Sequence, residues 1–435
     1  VALRNFLFGG AGGNVFRGMA TLALGGSMAK VIAMASIPFL TRIYSPADYG
    51  VLAIFSAFIS MLVPVLTFRY VVAIPLPRHD GIAMNLMVLS AALMVITTLT
   101  VLTLLYLFGE GLLNLLSMSA LVPYWWLIGA GLLGAATYEL LSMWATRRRA
   151  YAAIARTQVL QSLVGAAVKI ALGLMAIKPL GLMVGQVVNL SGGIGSLTRN
   201  FAQDMRRNAR FVSLRRLRIV TAYYFEFPLY RLPSQFLLQF SMQAPLLFAA
   251  STYDAAITGQ LGLALMAVTL PVGLLGQSMS VAYQAEASKL GRKKAKEVYS
   301  LTLSVLGRLA ILGAFPAVVL LLFGEQLFVL VFGHQWQQAG TFAAILSAYM
   351  LFQFVSRPVP HIFSIFGRNK TYLLTSMNRL LLISAIFWFG YYFELPINHV
   401  MMIYSAVLSA HYVLVTLRAI MLIRSNFGVA NPGKS

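Results

Sequence analysis

Long apolar blocks run through this chain, each of twenty or more residues and each separated from the next by a short polar break. Such a block can cross the hydrocarbon core of a bilayer, which is roughly 30 Å thick and takes about 20 helical residues. Hydrophobic residues make up 59% of the chain and charged residues only 10%, whereas soluble domains carry roughly 25% charged residues. The sequence therefore predicts an all-α integral membrane protein.

The blocks predict about twelve transmembrane helices. The connections between them are short, and none of those on the predicted outer side has room for an extracytoplasmic domain. The predicted spans are 16–40, 50–75, 84–107, 122–146, 155–177, 179–198, 220–250, 257–283, 299–323, 338–360, 371–391 and 398–423.

The basic residues behind the formal net charge of +22 are concentrated in the connections on one predicted side of the membrane. Basic residues cluster in alternate connections, among them Arg147 to Arg149 and Arg199 to Arg218, while the other connections carry acids such as Asp48, Glu110 and Asp254. The excess of Lys and Arg marks cytoplasmic loops, so we expect both termini to be cytoplasmic. The basic charge then reflects topology and contact with anionic lipid, and no nucleic-acid partner is expected.

Three short matches indicate that the chain contains a duplication. Tyr44-Ser-Pro-Ala-Asp-Tyr-Gly50 follows span one and Tyr253-Asp-Ala-Ala-Ile-Thr-Gly259 follows span seven. Leu107-Phe-Gly-Glu-Gly-Leu112 and Leu322-Phe-Gly-Glu-Gln-Leu327 follow spans three and nine, and Tyr151 matches Tyr372. The matches predict two pseudo-symmetric six-helix lobes of the same orientation, an arrangement that suits alternating access. Their predicted bounds are 1–198 and 220–435.

The segment 199–219 joins the two predicted lobes. It is basic and carries apolar residues at near-helical spacing. Two interpretations remain open: a tether whose charge is topological, or a helix lying on the inner membrane face.

Several ionisable residues fall inside predicted spans, and seven of them are candidates, five of which are basic. A charge at mid-membrane costs roughly 3 kcal/mol, so such residues usually face a wet cavity or a partner. Two acids cannot neutralise five cations, which predicts surplus positive charge for an anionic ligand or lipid headgroups. The seven are Lys30, Arg69, Glu139, Lys169, Glu226, Arg231 and Arg308.

The most regular polar pattern lies on span seven, where Arg231, Gln235, Gln239 and Gln243 recur every four residues. Side chains at this spacing share one helix face. Such a face suits phosphate and sugar hydroxyls, because arginine binds phosphate with two parallel hydrogen bonds. The alternative is packing between helices through hydrogen bonds, with Arg231 reaching the inner interface.

Other spans add further candidates. Gln277 and Gln284 lie on one face of span eight with Ser280, and Lys30 lies near mid-depth in span one. Arg69 either lines the same cavity or reaches the inner interface. Lys169 and Arg308 are secondary candidates that could pair with Glu139 or a backbone carbonyl in their own lobe, and Glu226 lies at the mouth of span seven.

Several classes of site are excluded. The chain has no cysteine, its five histidines show no metal spacing, and its glycine run at 9–13 has no following Lys-Ser/Thr. We therefore expect no metal and no cofactor, and transport would draw on an H⁺ or Na⁺ gradient or on removal of product.

The chain resembles the Wzx-type oligosaccharide flippases of the polysaccharide transporter family, within the superfamily of MATE exporters and lipid II flippases. The resemblance rests on Leu40-Thr-Arg-Ile-Tyr-Ser-Pro-Ala-Asp-Tyr-Gly50, on Phe227-Pro-Leu-Tyr-Arg-Leu-Pro-Ser234 and on Leu270-Pro-Val-Gly-Leu-Leu-Gly-Gln-Ser278. It covers essentially the whole chain in length, span count and duplication. Lipid II flippases typically have two more spans than are predicted here.

The resemblance implies a V-shaped fold whose central cavity is lined mainly by spans one, two, seven and eight. It implies a flippase that moves undecaprenyl-diphosphate-linked oligosaccharide, an O-antigen, capsule or exopolysaccharide unit, between leaflets of a bacterial inner membrane. A polysaccharide polymerase and a chain-length regulator are then expected partners. Lys30, Arg231, Gln235, Gln239 and Gln277 lie on the spans that line such a cavity.

Three other functions are open. A MATE-type ion-coupled drug or metabolite exporter would be expected to place carboxylates in the membrane, yet predicted spans one, two and eight contain none. A membrane enzyme, such as a polymerase or ligase, would be expected to need a sizeable outer loop. A structural assembly partner is the third.

Overall fold

The computed structural model describes the backbone of residues 11–115 and 118–427, with side chains from residue 21 except at 115, 270–275, 277, 278, 281, 285 and 369. The regular structure in these residues is helical throughout. Ten helices within them are long and apolar enough to cross a membrane. The chain is an all-α, multi-pass membrane protein, as predicted.

The chain forms two compact units, Val1–Gly259 and Gln260–Ser435. The first contains α1 (Ala11–Ile43), α2 (Pro46–Leu66), α3 (Asp80–Leu115), α4 (Trp125–Arg147), α5 (Tyr151–Leu174), α6 (Leu180–Ser191), α7 (Ile194–Ala209), α8 (Leu214–Tyr223) and α9 (Leu232–Thr252). The boundary falls in the first turns of α10 (Ala255–Leu290), which is followed by α11 (Ala295–Phe332), α12 (Gln337–Val355), α13 (Val359–Ile365), α14 (Asn369–Tyr392) and α15 (Ile397–Ser425).

Every predicted span contains helix, but span seven is not among the ten apolar ones. Span seven includes α9, whose three glutamines and two prolines lower its hydropathy. In span eight, the described stretch Ala255–Thr269 of α10 is a shorter apolar helix. On α9, the glutamines of the predicted polar stripe therefore contribute to the lower hydropathy.

The predicted second span is too long by about two turns. It was expected to reach residue 75, but α2 ends at Leu66. Phe68 and Arg69 have φ values of 45° and 62°, which a right-handed helix cannot accommodate. A short 3₁₀ helix, Tyr70–Ala73, follows this break.

The core of the first unit forms where α2, α4 and α6 pack together. Phe55, Leu132 and Met183 are completely buried in one cluster. Small residues let other helices approach closely: a Cβ on Gly165 would lie 3.1 Å from the carbonyl oxygen of Gly185, and one on Gly185 would lie 3.0 Å from that of Gly165. The small residues of α6 therefore pack within the unit, against α5.

Helix α7 occupies the first half of the predicted linker 199–219 and is bound to the end of α4 through one acid. Asp204 accepts two hydrogen bonds of 2.6 Å from the Arg148 guanidinium and one of 3.0 Å from the Trp144 indole. Arg147 pairs with Asp80 at 2.6 Å. The linker is thus partly helical and held to the end of α4 by the bidentate Arg148–Asp204 ion pair. The six-plus-six division of the chain remains a prediction.

Helix pairing supports the duplication. In the first unit α3 packs on α4, α4 on α6, and α5 on α6. The equivalent helices of the second unit pack in the same way, α11 on α12, α12 on α15, and α14 on α15. A short 3₁₀ helix precedes both α4 and α12, at Ser119–Tyr124 and His334–Trp336.

The two repeated turns, 44–50 and 253–259, pack against each other within the first unit. Each starts a helix with a side-chain cap: Ser45 accepts from the backbone N–H of Asp48, and Asp254 accepts from that of Ile257 at 2.7 Å. A Cβ on Gly50 would overlap the carbonyl oxygen of Ala255, and one on Gly259 would overlap that of Pro46. The contact is reciprocal, as at a two-fold interface.

Replacing either glycine by alanine should destabilise the protein. Alanine in an open helical position is favoured by up to about 1 kcal/mol, but in Gly50→Ala and Gly259→Ala the added methyl group meets a backbone oxygen that cannot rotate away. We expect both variants to unfold at a lower temperature than the wild type in detergent, measured by scanning fluorimetry. Gly307→Ala is the matched control, because a Cβ there meets nothing within 4 Å. Equal stability of all three variants would contradict the packing.

Candidate functional site

The entry to α9 is a π-helix over Phe227–Arg231, within the proline-containing motif noted in the sequence. The backbone N–H of Leu232 donates to the carbonyl of Phe227, five residues back. Pro233 has no N–H and cannot continue the ordinary i−4 pattern at this point. The widened turn places Arg231 at the start of the polar face of α9, and such π-turns are common at functional sites.

The predicted stripe on α9 is present as a series of half-buried glutamines below an exposed Arg231. Gln235, Gln239 and Gln243 are neither fully exposed nor fully buried. Gln243 donates a 2.7 Å hydrogen bond to Ser60 on α2, against which α9 packs. The stripe therefore faces α2 at this position, where Gln243 serves packing between the helices; cavity lining by the rest of the stripe remains a prediction.

Lys30 and Arg231 are exposed side chains without an ion-pair partner among the described residues. Glu226, five residues before Arg231, is also exposed and pairs with neither of them. Unpaired cations on membrane helices are costly unless they face water or an anion. Among the predicted intramembrane cations of the first unit, these two are the exposed ones.

Arg69 has a partner in the structure. Its guanidinium lies 3.2 Å from the carboxylate of Glu139 on α4, and both side chains retain about a fifth of their exposure, 18% and 21%. The backbone of Arg69 is left-handed, with φ of 62°, a conformation that costs a non-glycine residue about 1–3 kcal/mol. The pair lies at the break that ends α2. The left-handed backbone of Arg69 and its ion pair with Glu139 together fix the position of the guanidinium.

The secondary candidates behave differently from one another. Lys169 donates a 2.8 Å hydrogen bond to the side-chain oxygen of Gln186 on α6. It does not pair with Glu139, because the Glu139 carboxylate is paired with Arg69. Arg308 on α11 is exposed and has no ion pair among the described residues. Lys169 is a packing residue in this arrangement.

In the second unit, the polar face of α10 is only partly described. Gln284 is exposed, while the side chain of Gln277 lies outside the described residues. Ser280 is buried, donates to the carbonyl of Arg357 at 3.1 Å and lies 3.1 Å from the His361 ring nitrogen. Ser280 therefore binds α10 to the segment around α13, and Gln284 is the exposed residue of this face.

A polar cluster around Arg379 was not predicted. Arg379 lies on α14, within predicted span eleven, and donates to the Tyr412 hydroxyl at 3.3 Å. Like Lys30, Arg379 is a charged residue inside a predicted apolar span, so the sequence alone could have identified it as a candidate. Its contacts with α12 and α15 could not be read from spacing along α14.

The described residues contain no group of three or more His, Asp or Glu that could hold a metal ion. What the described residues offer is the guanidinium of Arg231 on the same helix as three amide side chains, and the ammonium group of Lys30 on α1, neither of them in an ion pair. Such groups bind phosphate and sugar hydroxyls through charge-assisted and neutral hydrogen bonds.

Removal of both partners of the Arg69–Glu139 pair should destabilise the protein by less than the sum of the two single removals. Glu139→Gln leaves a half-buried guanidinium without its counter-charge, and Arg69→Gln leaves the carboxylate alone. We expect each single variant to lower the unfolding temperature and the double variant to lower it by less than the sum, with a coupling of about 1 kcal/mol. Strictly additive losses would show that the two groups are not coupled.

The chain matches known proteins in both sequence and structure. Among curated proteins no sequence matches. An inward-facing multidrug resistance MATE family transporter of the MOP superfamily is similar in structure, with a TM-score of 0.62 at 14% identity, covering 94% of this chain and 96% of that one. A MATE transporter in the bent conformation matches with a TM-score of 0.57 at 16% identity, over 98% of both chains. A mutant of the Vibrio cholerae MATE transporter VcmN matches with a TM-score of 0.56 at 14% identity, over 96% and 97%.

At these identities the structural likeness shows the fold, which is that of membrane transporters. The sequence model of the family described as polysaccharide biosynthesis protein matches residues 39–341, which is most of the chain. The chain therefore belongs to the polysaccharide biosynthesis protein family.

Proposed function

We propose that this protein is a flippase that translocates undecaprenyl-diphosphate-linked oligosaccharide from the inner to the outer leaflet of the bacterial inner membrane. Membership of a polysaccharide biosynthesis family and a transporter fold support a membrane transporter acting in this process. The O-antigen, capsule or exopolysaccharide unit carried by the lipid is the proposed cargo.

One observation carries the choice of substrate: two exposed cations on membrane helices, Lys30 and Arg231, have no ion-pair partner among the described residues. Each would cost roughly 3 kcal/mol in hydrocarbon. A diphosphate supplies the missing negative charge, and the arginine fork matches its oxygens. The glutamines at 235 and 239 extend the same face with donors and acceptors suited to sugar hydroxyls.

The proposed cycle is alternating access. The diphosphate engages the cationic face from the cytoplasmic side, the sugars cross through a polar lumen, and the polyprenyl tail stays in lipid. Rocking of the two predicted six-helix lobes about a V-shaped central cavity opens the face to the other side. Both termini are cytoplasmic in this proposal, a gradient of H⁺ or Na⁺ resets the lobes, and a polymerase with its chain-length regulator takes the product.

Catalysis is not part of the proposal. The family and the fold are those of membrane transporters, and the binding groups discussed here, Lys30, Arg231 and the α9 glutamines, bind rather than react. No bond is made or broken in moving the lipid between leaflets.

The second candidate is a MATE-type exporter of drugs or metabolites, which the structural neighbours favour. An exporter of organic cations needs negative charge at its site. The acids near the candidate residues are Glu139, which Arg69 neutralises, and Glu226, which is exposed at the entry to α9. This charge balance favours an anionic substrate.

Charge-neutral substitution of the unpaired cations should stop export without affecting insertion. Lys30→Gln and Arg231→Gln each remove a proposed diphosphate contact from an exposed position, so the fold does not depend on either charge. In a strain lacking the chromosomal copy, we expect surface polysaccharide to fall at least tenfold, since a charged hydrogen bond contributes about 1.5–3 kcal/mol. Lipid-linked oligosaccharide should accumulate in the inner membrane.

Lys293→Gln and Arg424→Gln are the controls, because both residues are exposed at the ends of helices outside the proposed face. These variants should export normally. Normal export by both Lys30→Gln and Arg231→Gln would eliminate the cationic site. If those variants instead lost resistance to cationic dyes while exporting polysaccharide, the exporter would replace the flippase.

A further inference from the structure

A second polar site lies inside the second unit, where α13, α14 and α15 meet. A cavity of about 60 Å³ is lined there by residues from these three helices and by Ser356, which directly follows α12. Its polar lining includes Ser356, Thr375, Ser376, Arg379, His411 and Tyr412. The helices concerned are candidate membrane spans, so this polar space lies within the apolar part of the protein.

Arg379 brings a charge into this cavity without a carboxylate to balance it. The acids of the described second unit are engaged or distant in sequence: Glu286 pairs with Lys289, Glu297 with Lys294, and Glu325 with Thr341. Glu394 lies beyond the opposite end of α14 and forms no ion pair among the described residues. The guanidinium is compensated only by neutral groups.

The hydrogen bonds around Arg379 leave donors unused. Its Nη1 donates to the Tyr412 hydroxyl at 3.3 Å, but its Nε is buried and has no acceptor. The Tyr412 oxygen also receives a 3.4 Å hydrogen bond from Gln353. Since that oxygen accepts twice, its own hydrogen is left to donate elsewhere.

The remaining hydroxyls do not supply the missing acceptor. Thr375 and Ser376 both donate to the carbonyl of Tyr372, at 2.7 and 3.1 Å. Ser356 is hydrogen-bonded to Thr416 at 2.8 Å. What the cavity lacks is therefore an acceptor that carries negative charge.

We propose that this cavity binds a small inorganic anion of chloride size, held by Arg379 and Tyr412. A water molecule needs roughly 10–15 Å³ of such space, so about 60 Å³ admits a monatomic anion and excludes a diphosphate bearing sugars. The site is thus separate from the transport of the lipid-linked substrate. The anion neutralises the guanidinium and accepts from the two unused donors, which joins α14 to α15.

The test is the thermal stability of the full-length protein in detergent, with chloride replaced by gluconate at constant ionic strength. Binding to the folded state raises the unfolding temperature with a saturable dependence on concentration, by roughly 5 °C at a hundredfold excess over Kd. We expect this rise in the wild type and its loss in Arg379→Gln. Arg418→Gln is the matched control, since Arg418 is an exposed arginine on the same helix as Tyr412 and should keep the full response.

Two further measurements keep the proposal open to refutation if Arg379→Gln fails to fold. Tyr412→Phe retains the ring and removes one donor, so the chloride concentration at half-maximal effect should rise several-fold. Crystals grown in bromide should show an anomalous peak beside Arg379. Any one of three results would overturn the proposal: equal stability of the wild type in chloride and gluconate, no bromide peak in the cavity, or a loss of the chloride response in Arg418→Gln equal to that in Arg379→Gln.

Discussion

Hydrocarbon offers no hydrogen bonds, so every charge carried into a membrane helix must be met by another group of the protein, by water or by a ligand. In this chain that requirement separates the intramembrane charges into two classes. Arg69 is met by Glu139 and Lys169 by Gln186. Lys30 and Arg231 are met by no acid among the described residues. The first class holds helices together, and the second class is where an anionic substrate is expected to bind.

The same requirement bears on α9, which is not among the ten apolar spans. Its glutamines reduce the apolar character of span seven. Gln243 shows that part of this polarity serves packing, through its contact with Ser60. Polar residues on a membrane helix can thus contribute to assembly, and the exposed end of the stripe at Arg231 is the part at which we propose that a ligand binds.

The sequence was sufficient for the fold because the relevant signals are local. Block length and loop charge predict all twelve spans, and helix occurs at each of them. The break after Leu66 was not predicted, since it depends on two left-handed residues that have no compositional signature. The pairing of Arg69 with Glu139 joins residues 70 positions apart, and the cluster around Arg379 draws on three helices. Contacts of this kind depend on how helices are rotated against one another, which periodicity within one helix does not determine.

The reciprocal packing of the two repeated turns has a consequence for how the duplicated sequences can diverge. Gly50 rests on the main chain of Ala255, and Gly259 rests on that of Pro46. A main-chain carbonyl is the same whatever side chain its residue carries, so no substitution in one copy can make room for a larger residue in the other. Other positions of the two repeated segments can differ independently, but these two glycines are under a shared restraint that neither segment can relieve alone.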